Sequence, residues 1–293
     1  MNWVSYFIFR VLVIIFSLIP FRLMYLFSDF VAWFLRVVIK YRVKVVRENL
    51  ERCFPEKSAE EIQAYIKAFY INLSDITLES IKGNSLSAKE LLKRYKYNNP
   101  QLLSEYAEKN VDLLLISSHY TNWEWMSLVW AAQMKAKSYA VYKPLSNKPL
   151  DNFLKRIREK MGMDMIDMND AGKTIKDIRA KGGPSIFIFI SDQSPAAVHK
   201  AHWVDFFNTK TAFIHGLSQF ARIFNLPVFF YEVQRVKRGY YEVNFSLLTE
   251  EPKNLRNEEI TALYAQKLEA VIKNYPPNWL WSHKRWKHKF HSE

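Results

Sequence analysis

One cysteine, Cys53, occurs in 293 residues. A lone thiol excludes an intrachain disulfide framework and suits a reducing compartment. Cysteine and histidine do not fall in structural-zinc spacing. His199, His202 and His215 share no metal-ligand spacing with a carboxylate, so they read as loop or surface residues, and neither metal nor cofactor is expected. Glycine is scarce, with 7 in the chain. No Gly/Ser-rich linker, low-complexity run or internal repeat divides it, which argues against a repeat array or domains on a flexible tether. Acidic residues are also in deficit, 29 Asp and Glu against 42 Lys and Arg, for a formal charge of +13. Such a surplus implies an anionic partner: nucleic acid, lipid headgroups or an acidic carrier protein. Nucleic acid is the weakest of these, because no recognition motif accompanies the charge.

What the chain has in abundance is apolar and aromatic side chains, 49% and 16%. From Trp3 to Ile19 the single charge is Arg10; a second apolar stretch to Ile39 is broken by Arg22, Asp29 and Arg36. Crossing a bilayer takes ~20 mostly apolar residues in a helix, which the first stretch barely reaches. No small-residue cleavage site follows at Leu18-Ile19-Pro20-Phe21-Arg22, which argues against a signal peptide. Residues 1–40 are therefore expected to form an uncleaved helical anchor, one short spanning helix or a pair lying in one leaflet. A buried core helix is the competing reading. Lys40, Arg42, Lys44 and Arg47 follow the apolar stretch that ends at Ile39. That basic run suits an anionic membrane surface and predicts a body on the cytoplasmic side.

Residues 41–293 form the expected catalytic domain. Its lead-in, 41–108, reads as helical, with Ser58 and Glu61 spaced as a capping box opening a helix through Phe69. Apolar runs of buried-strand type follow at 111–117, 138–142, 185–190 and 228–233. Helical stretches at 123–133, 149–161, 171–181 and 214–224 alternate with them. A strand at 240–248, set off by Lys237-Arg238-Gly239, suggests an antiparallel hairpin, and 258–274 closes as a helix. The pattern predicts an α/β fold with a mixed, largely parallel sheet flanked by helices.

The chemistry concentrates at Ile116-Ser117-Ser118-His119-Tyr120-Thr121-Asn122-Trp123-Glu124. This places a histidine just beyond a buried strand and a carboxylate at the opening of the next helix, at a sheet edge where ligands gather. If Thr121 or Asn122 caps the helix, the turn can bring His119 and Glu124 together. A neutral imidazole can take the proton of an attacking hydroxyl, and a carboxylate on its other nitrogen fixes the tautomer. Taken alone, such a pair often arises by chance, and a satisfied structural histidine is the simpler reading.

The surrounding residues resemble the late acyltransferases of lipid A biosynthesis, within the wider glycerolipid acyltransferases marked by His, four residues, then Asp or Glu. His119 and Glu124 match that motif. Tyr142-Lys143-Pro144 with Asn147-Lys148-Pro149, Asp192-Gln193, Asp205-Phe206-Phe207-Asn208 with Thr211-Ala212, and Pro277 to Lys287 match further blocks in order. The likeness runs over nearly the whole chain. Two positions depart from it: Asp205 stands for an expected proline and Asn208 for a glycine. The resemblance implies a bacterial inner-membrane enzyme that moves an acyl chain from acyl carrier protein to a hydroxyl of a lipid A precursor. In it His119 is the general base and Glu124 its orienting carboxylate. It also implies that Lys143, Arg156, Arg158, Asp192 and Gln193 bind substrate; surface solvation is the competing reading for the cations, and structural pairing for Asp192. Another lipid acceptor (a lysophospholipid, aminolipid, glycolipid or pigment precursor) is the alternative, and a non-catalytic membrane adaptor a third.

Overall fold

Pro20 interrupts the apolar N-terminus and splits it into two helices, α1 (Asn2–Leu18) and α2 (Phe21–Trp33), the second running into one π-helical turn at Phe34–Val38. These belong to a computed structural model that describes residues 2–290. At 1.5 Å per residue, the 17 residues of α1 span only about 26 Å. No helix among the described residues is long and apolar enough to cross a membrane. The expected spanning anchor therefore finds no support. Instead α2 lies along α4 (Ala59–Gly83), with Met24, Ser28 and Ala32 buried. Trp3, Phe7, Ile14, Leu18, Leu26 and Trp33 stay exposed.

Helix α3 (Val43–Cys53) precedes α4, whose N-terminus carries the expected capping box: Ser58 Oγ accepts the Glu61 N–H while Glu61 accepts the Ser58 N–H. The helix continues past Phe69 to Gly83. Helices α5 (Ala88–Arg94) and α6 (Gln101–Glu108) complete the lead-in, and between them lies an unexpected three-residue strand, β1 (Tyr95–Tyr97).

The α/β alternation then follows: β2 (Leu113–Ser117), α7 (Trp125–Gln133), β3 (Lys137–Tyr142), α8 (Lys148–Lys160), β4 (Met163–Asp167), α9 (Ala171–Ala180) and β5 (Ser185–Ile190). A separate hairpin, β6 (His202–Phe206) and β7 (Thr209–Phe213), leads to α10 (Gly216–Phe224). Strands β8 (Val228–Lys237) and β9 (Tyr240–Thr249) and helix α11 (Asn257–Asn274) follow. Among the described residues the main sheet has seven strands in the order β1-β9-β8-β2-β5-β3-β4. The five from β8 to β4 run parallel; β9 pairs antiparallel with β8, as the expected hairpin, and β1 runs with β9. The α/β class with a mostly parallel sheet is as expected.

Strand β2 is central and buried on both faces. Leu114 and Ile116 enter one apolar cluster with α4 and α11, while Leu113 and Leu115 enter another with α7. All four are fully buried, which explains why β2 reads as an unbroken apolar run rather than an alternating one.

Candidate active site

Parallel pairing of β2 with β5 places Ser117 opposite Ile190, so the two strands end side by side. Two residues beyond each end stand His119 and Asp192. Asp192 is buried, whereas His119 keeps about a fifth of its side chain exposed, at 20%. Asp192 Oδ1 lies 2.6 Å from His119 Nδ1, and its Oδ2 accepts the His119 backbone N–H at 3.0 Å and the Trp279 indole N–H at 2.8 Å. Three donors on one buried carboxylate leave it little freedom, and they fix the ring in turn.

Burial by itself would push the Asp192 carboxyl up; the facing imidazole and these hydrogen bonds outweigh it and hold the group below its ordinary value. For His119 burial works against the charged ring. The Asp192 charge and hydrogen bond, with the Glu124 charge beyond, overcome that penalty and hold it above the usual imidazole value. With the Nδ1 proton directed at Asp192, Nε2 carries the lone pair. The Gln193 amide stands 3.4 Å from it, and the Trp123 ring lies edge-on to the imidazole with 5.0 Å between ring centres.

Glu124 does not hold the ring. Its Oε2 accepts from Arg158 Nη2 of α8 at 2.6 Å. The expected His119–Glu124 hydrogen bond is replaced by two separate pairs, because the carboxylate that meets Nδ1 comes from the neighbouring strand end, not from the next helix. Asn122 Oδ1 accepts the Trp125 N–H at the start of α7, but Glu124 is the cap residue, its side chain makes no cap bond, and the turn does not bring it to His119.

Of the other expected site residues, Gln193 and Arg158 join the cluster. Arg156 does not: two positions from Arg158 it lies about 200° around the helix and is exposed. Lys143 is exposed on the loop between β3 and α8. Trp279 lies inside the C-terminal motif block, but nothing in its spacing marks it as a partner of Asp192. The C-terminal segment pairs with the His119 turn, Thr121 N–H to the Asn278 carbonyl and Leu280 N–H to the His119 carbonyl, and so carries the indole in. No group of three or more residues able to hold a metal ion occurs among the described residues.

The Asp205–Asn208 block forms the β6–β7 turn. Phe207 (φ 50°) and Asn208 (φ 54°) are both left-handed, the geometry of a type I′ turn. Asparagine tolerates that region better than most side chains, so its replacing glycine is met locally. The Phe207 N–H is held by Glu269 at 2.6 Å.

The profile of the bacterial lipid A biosynthesis acyltransferases matches residues 1–288. The chain belongs to that family. No curated relative matches it significantly. In the site itself the carboxylate in contact with the His119 imidazole is Asp192, while Glu124 pairs with Arg158.

Proposed function

We propose that the protein transfers a fatty acyl chain from the thioester of acyl carrier protein to a hydroxyl of a lipid A precursor, with His119 as the general base. The observation that carries this reading is the Asp192–His119–Nε2 line, together with membership of the acyltransferase family. The acceptor hydroxyl takes the place beside Nε2, where Gln193 now lies. As its oxygen attacks the thioester carbonyl, its proton passes to Nε2 and the imidazolium is stabilised by Asp192. Collapse of the tetrahedral intermediate expels the carrier's thiolate, which takes up that proton. Arg158, held by Glu124, supplies the nearby cation for the developing oxyanion or for a substrate phosphate.

The exposed apolar side chains of α1 and α2 support contact with one leaflet of a bacterial inner membrane from the cytoplasmic side. Lys40, Arg42, Lys44 and Arg47 would meet its anionic headgroups. The test is transfer of labelled acyl chain from acyl carrier protein to a lipid A precursor by the purified protein. His119→Ala should slow it by roughly 10²–10⁴-fold, the usual worth of a positioned base. Transfer to a lysophospholipid or another lipid but not to the precursor would select the alternative acceptor. Undiminished transfer by His119→Ala would overturn the mechanism.

A further inference from the structure

A second buried carboxylate, used by no step above, controls the turn between His119 and Glu124. Glu79 of α4 is fully buried. Its Oε1 accepts the Tyr25 hydroxyl of α2 at 2.8 Å; its Oε2 accepts the Tyr241 hydroxyl of β9 at 2.6 Å and Asn122 Nδ2 at 2.8 Å. The backbone carbonyl of the same residue accepts the Trp125 indole N–H at 2.9 Å. Asn122 in turn spends its Oδ1 on the backbone N–H of Trp125, at 3.2 Å. The two residues that flank Trp123 and Glu124 are thus both tied to one position of α4.

The local backbone makes that tie consequential. Thr121 sits at a φ of 47°, a left-handed conformation unfavourable for a β-branched residue. It is sustained by its N–H bond to the Asn278 carbonyl and by burial. Strained turns persist only where the surroundings over-determine them. On the side toward α7, Glu79 and Asn122 provide that determination. Filling this space does not by itself call for an acid, and burial pushes the Glu79 carboxyl above its ordinary value; the three donors converging on it work against that and supply the reason for a carboxyl group here.

We propose that Glu79 is a positioning residue for acyl transfer: through Asn122 it sets the turn that presents His119 to Asp192 and Glu124 to Arg158. The inference rests on the reading of His119 as the base. It predicts that the polarity of the Glu79–Asn122 contact matters more than either residue. Asn122→Asp keeps the acceptor for the Trp125 N–H but sets two carboxylates face to face. Adding Glu79→Gln to it restores one donor and one acceptor, now reversed.

The experiment compares the full-length wild type, Asn122→Asp, and the Asn122→Asp/Glu79→Gln double variant in acyl-transfer kinetics. Alongside, it measures carbethoxylation of His119 by diethyl pyrocarbonate, mapped by peptide mass spectrometry. A turn displaced by about 1 Å should lower kcat on the order of 10²-fold. We expect that loss in Asn122→Asp, with KM changed much less and the His119 labelling rate altered severalfold. The double variant should recover kcat to within about tenfold of wild type and restore the labelling rate. A merely structural role predicts loss of folded protein, with normal kcat and normal labelling in the fraction that remains; that result overturns the proposal. So does a double variant that recovers neither quantity. If the wild type itself transfers no acyl chain, the functional reading fails, and His119 labelling alone decides whether Glu79 sets the turn.

Discussion

Replacing Asp192 with asparagine tests the site most directly, because the three donors around it dictate how the amide must sit. Oδ2 serves two of them, the His119 backbone N–H and the Trp279 indole, so the asparagine oxygen takes that place. The amide nitrogen then faces His119 Nδ1, 2.6 Å from it in the wild type, and donates where the carboxylate accepted. The ring is driven to the opposite tautomer, with its proton on Nε2 and no lone pair for the acceptor hydroxyl. In a serine protease triad, the same exchange costs about 10⁴ in kcat. A loss of roughly 10³–10⁴-fold is expected here, or about 4–5 kcal/mol of transition-state stabilisation. The pH profile gives a second, independent signature. Activity rises as His119 loses its proton, and the wild-type residue titrates above its ordinary value because Asp192 and Glu124 outweigh burial. Without the Asp192 charge and hydrogen bond, burial regains ground and the acid limb of kcat/KM should move to lower pH. Steady-state kinetics from pH 5 to 9 with acyl carrier protein thioester measures both. Wild-type kcat, or a reduced kcat with an unmoved acid limb, would refute the reasoning.

Other outcomes follow from neighbouring contacts. Glu124→Ala and Arg158→Ala should each slow transfer, and a double-mutant cycle should show about 0.5–3 kcal/mol of coupling in kcat/KM; additive losses would mean that the 2.6 Å pair acts as two independent groups. Arg158→Lys should recover little, since a point charge cannot reproduce the guanidinium fork. Gly83→Ala should lower stability by about 1–3 kcal/mol in denaturant titrations, because a β-carbon there would come within 2.4 Å of Trp125 Nε1 and 2.9 Å of Leu128 Cδ1; an unchanged midpoint would show that α7 yields freely. The stability gap between wild type and Asp192→Asn should peak at mildly acid pH. His119, raised on folding, contributes fully below its unfolded value and loses this as pH climbs through the raised one. Asp192, depressed on folding, contributes above its unfolded value and loses this as pH falls through the lowered one. The two overlap between roughly pH 3.9 and 6.5. A gap that widens toward pH 9 would contradict the pairing.

Strands buried on both faces, such as β2 and β5, are legible as unbroken apolar runs, and β9 as one in which buried residues alternate with half-exposed ones. Strand β4, Met163-Asp164-Met165-Ile166-Asp167, escaped notice because it is a sheet edge with acidic residues between its apolar ones. Strand β1 is too short to carry a pattern, and the β6–β7 hairpin was visible only as a motif block. His119 could be found from its place beyond β2, but its carboxylate partner could not be assigned along the chain. Glu124 is five residues away and Asp192 seventy-three; only the adjacency of β2 and β5, a property of sheet order, makes the distant one the neighbour. The apolar N-terminal segment shows the opposite case. Hydropathy marked the segment correctly as apolar, while the break at Pro20 and the packing of α2 on α4 decided what it builds.

Trp279 lies 87 residues beyond Asp192 in sequence, yet it occupies one of the three places around the carboxylate behind the imidazole, and its neighbours stitch the loop in front. The main sheet draws on no residue beyond β9, so its strands can pair before this segment docks. Docking of this segment therefore finishes the centre: until the indole arrives, Asp192 has one donor fewer and grips the imidazole less firmly.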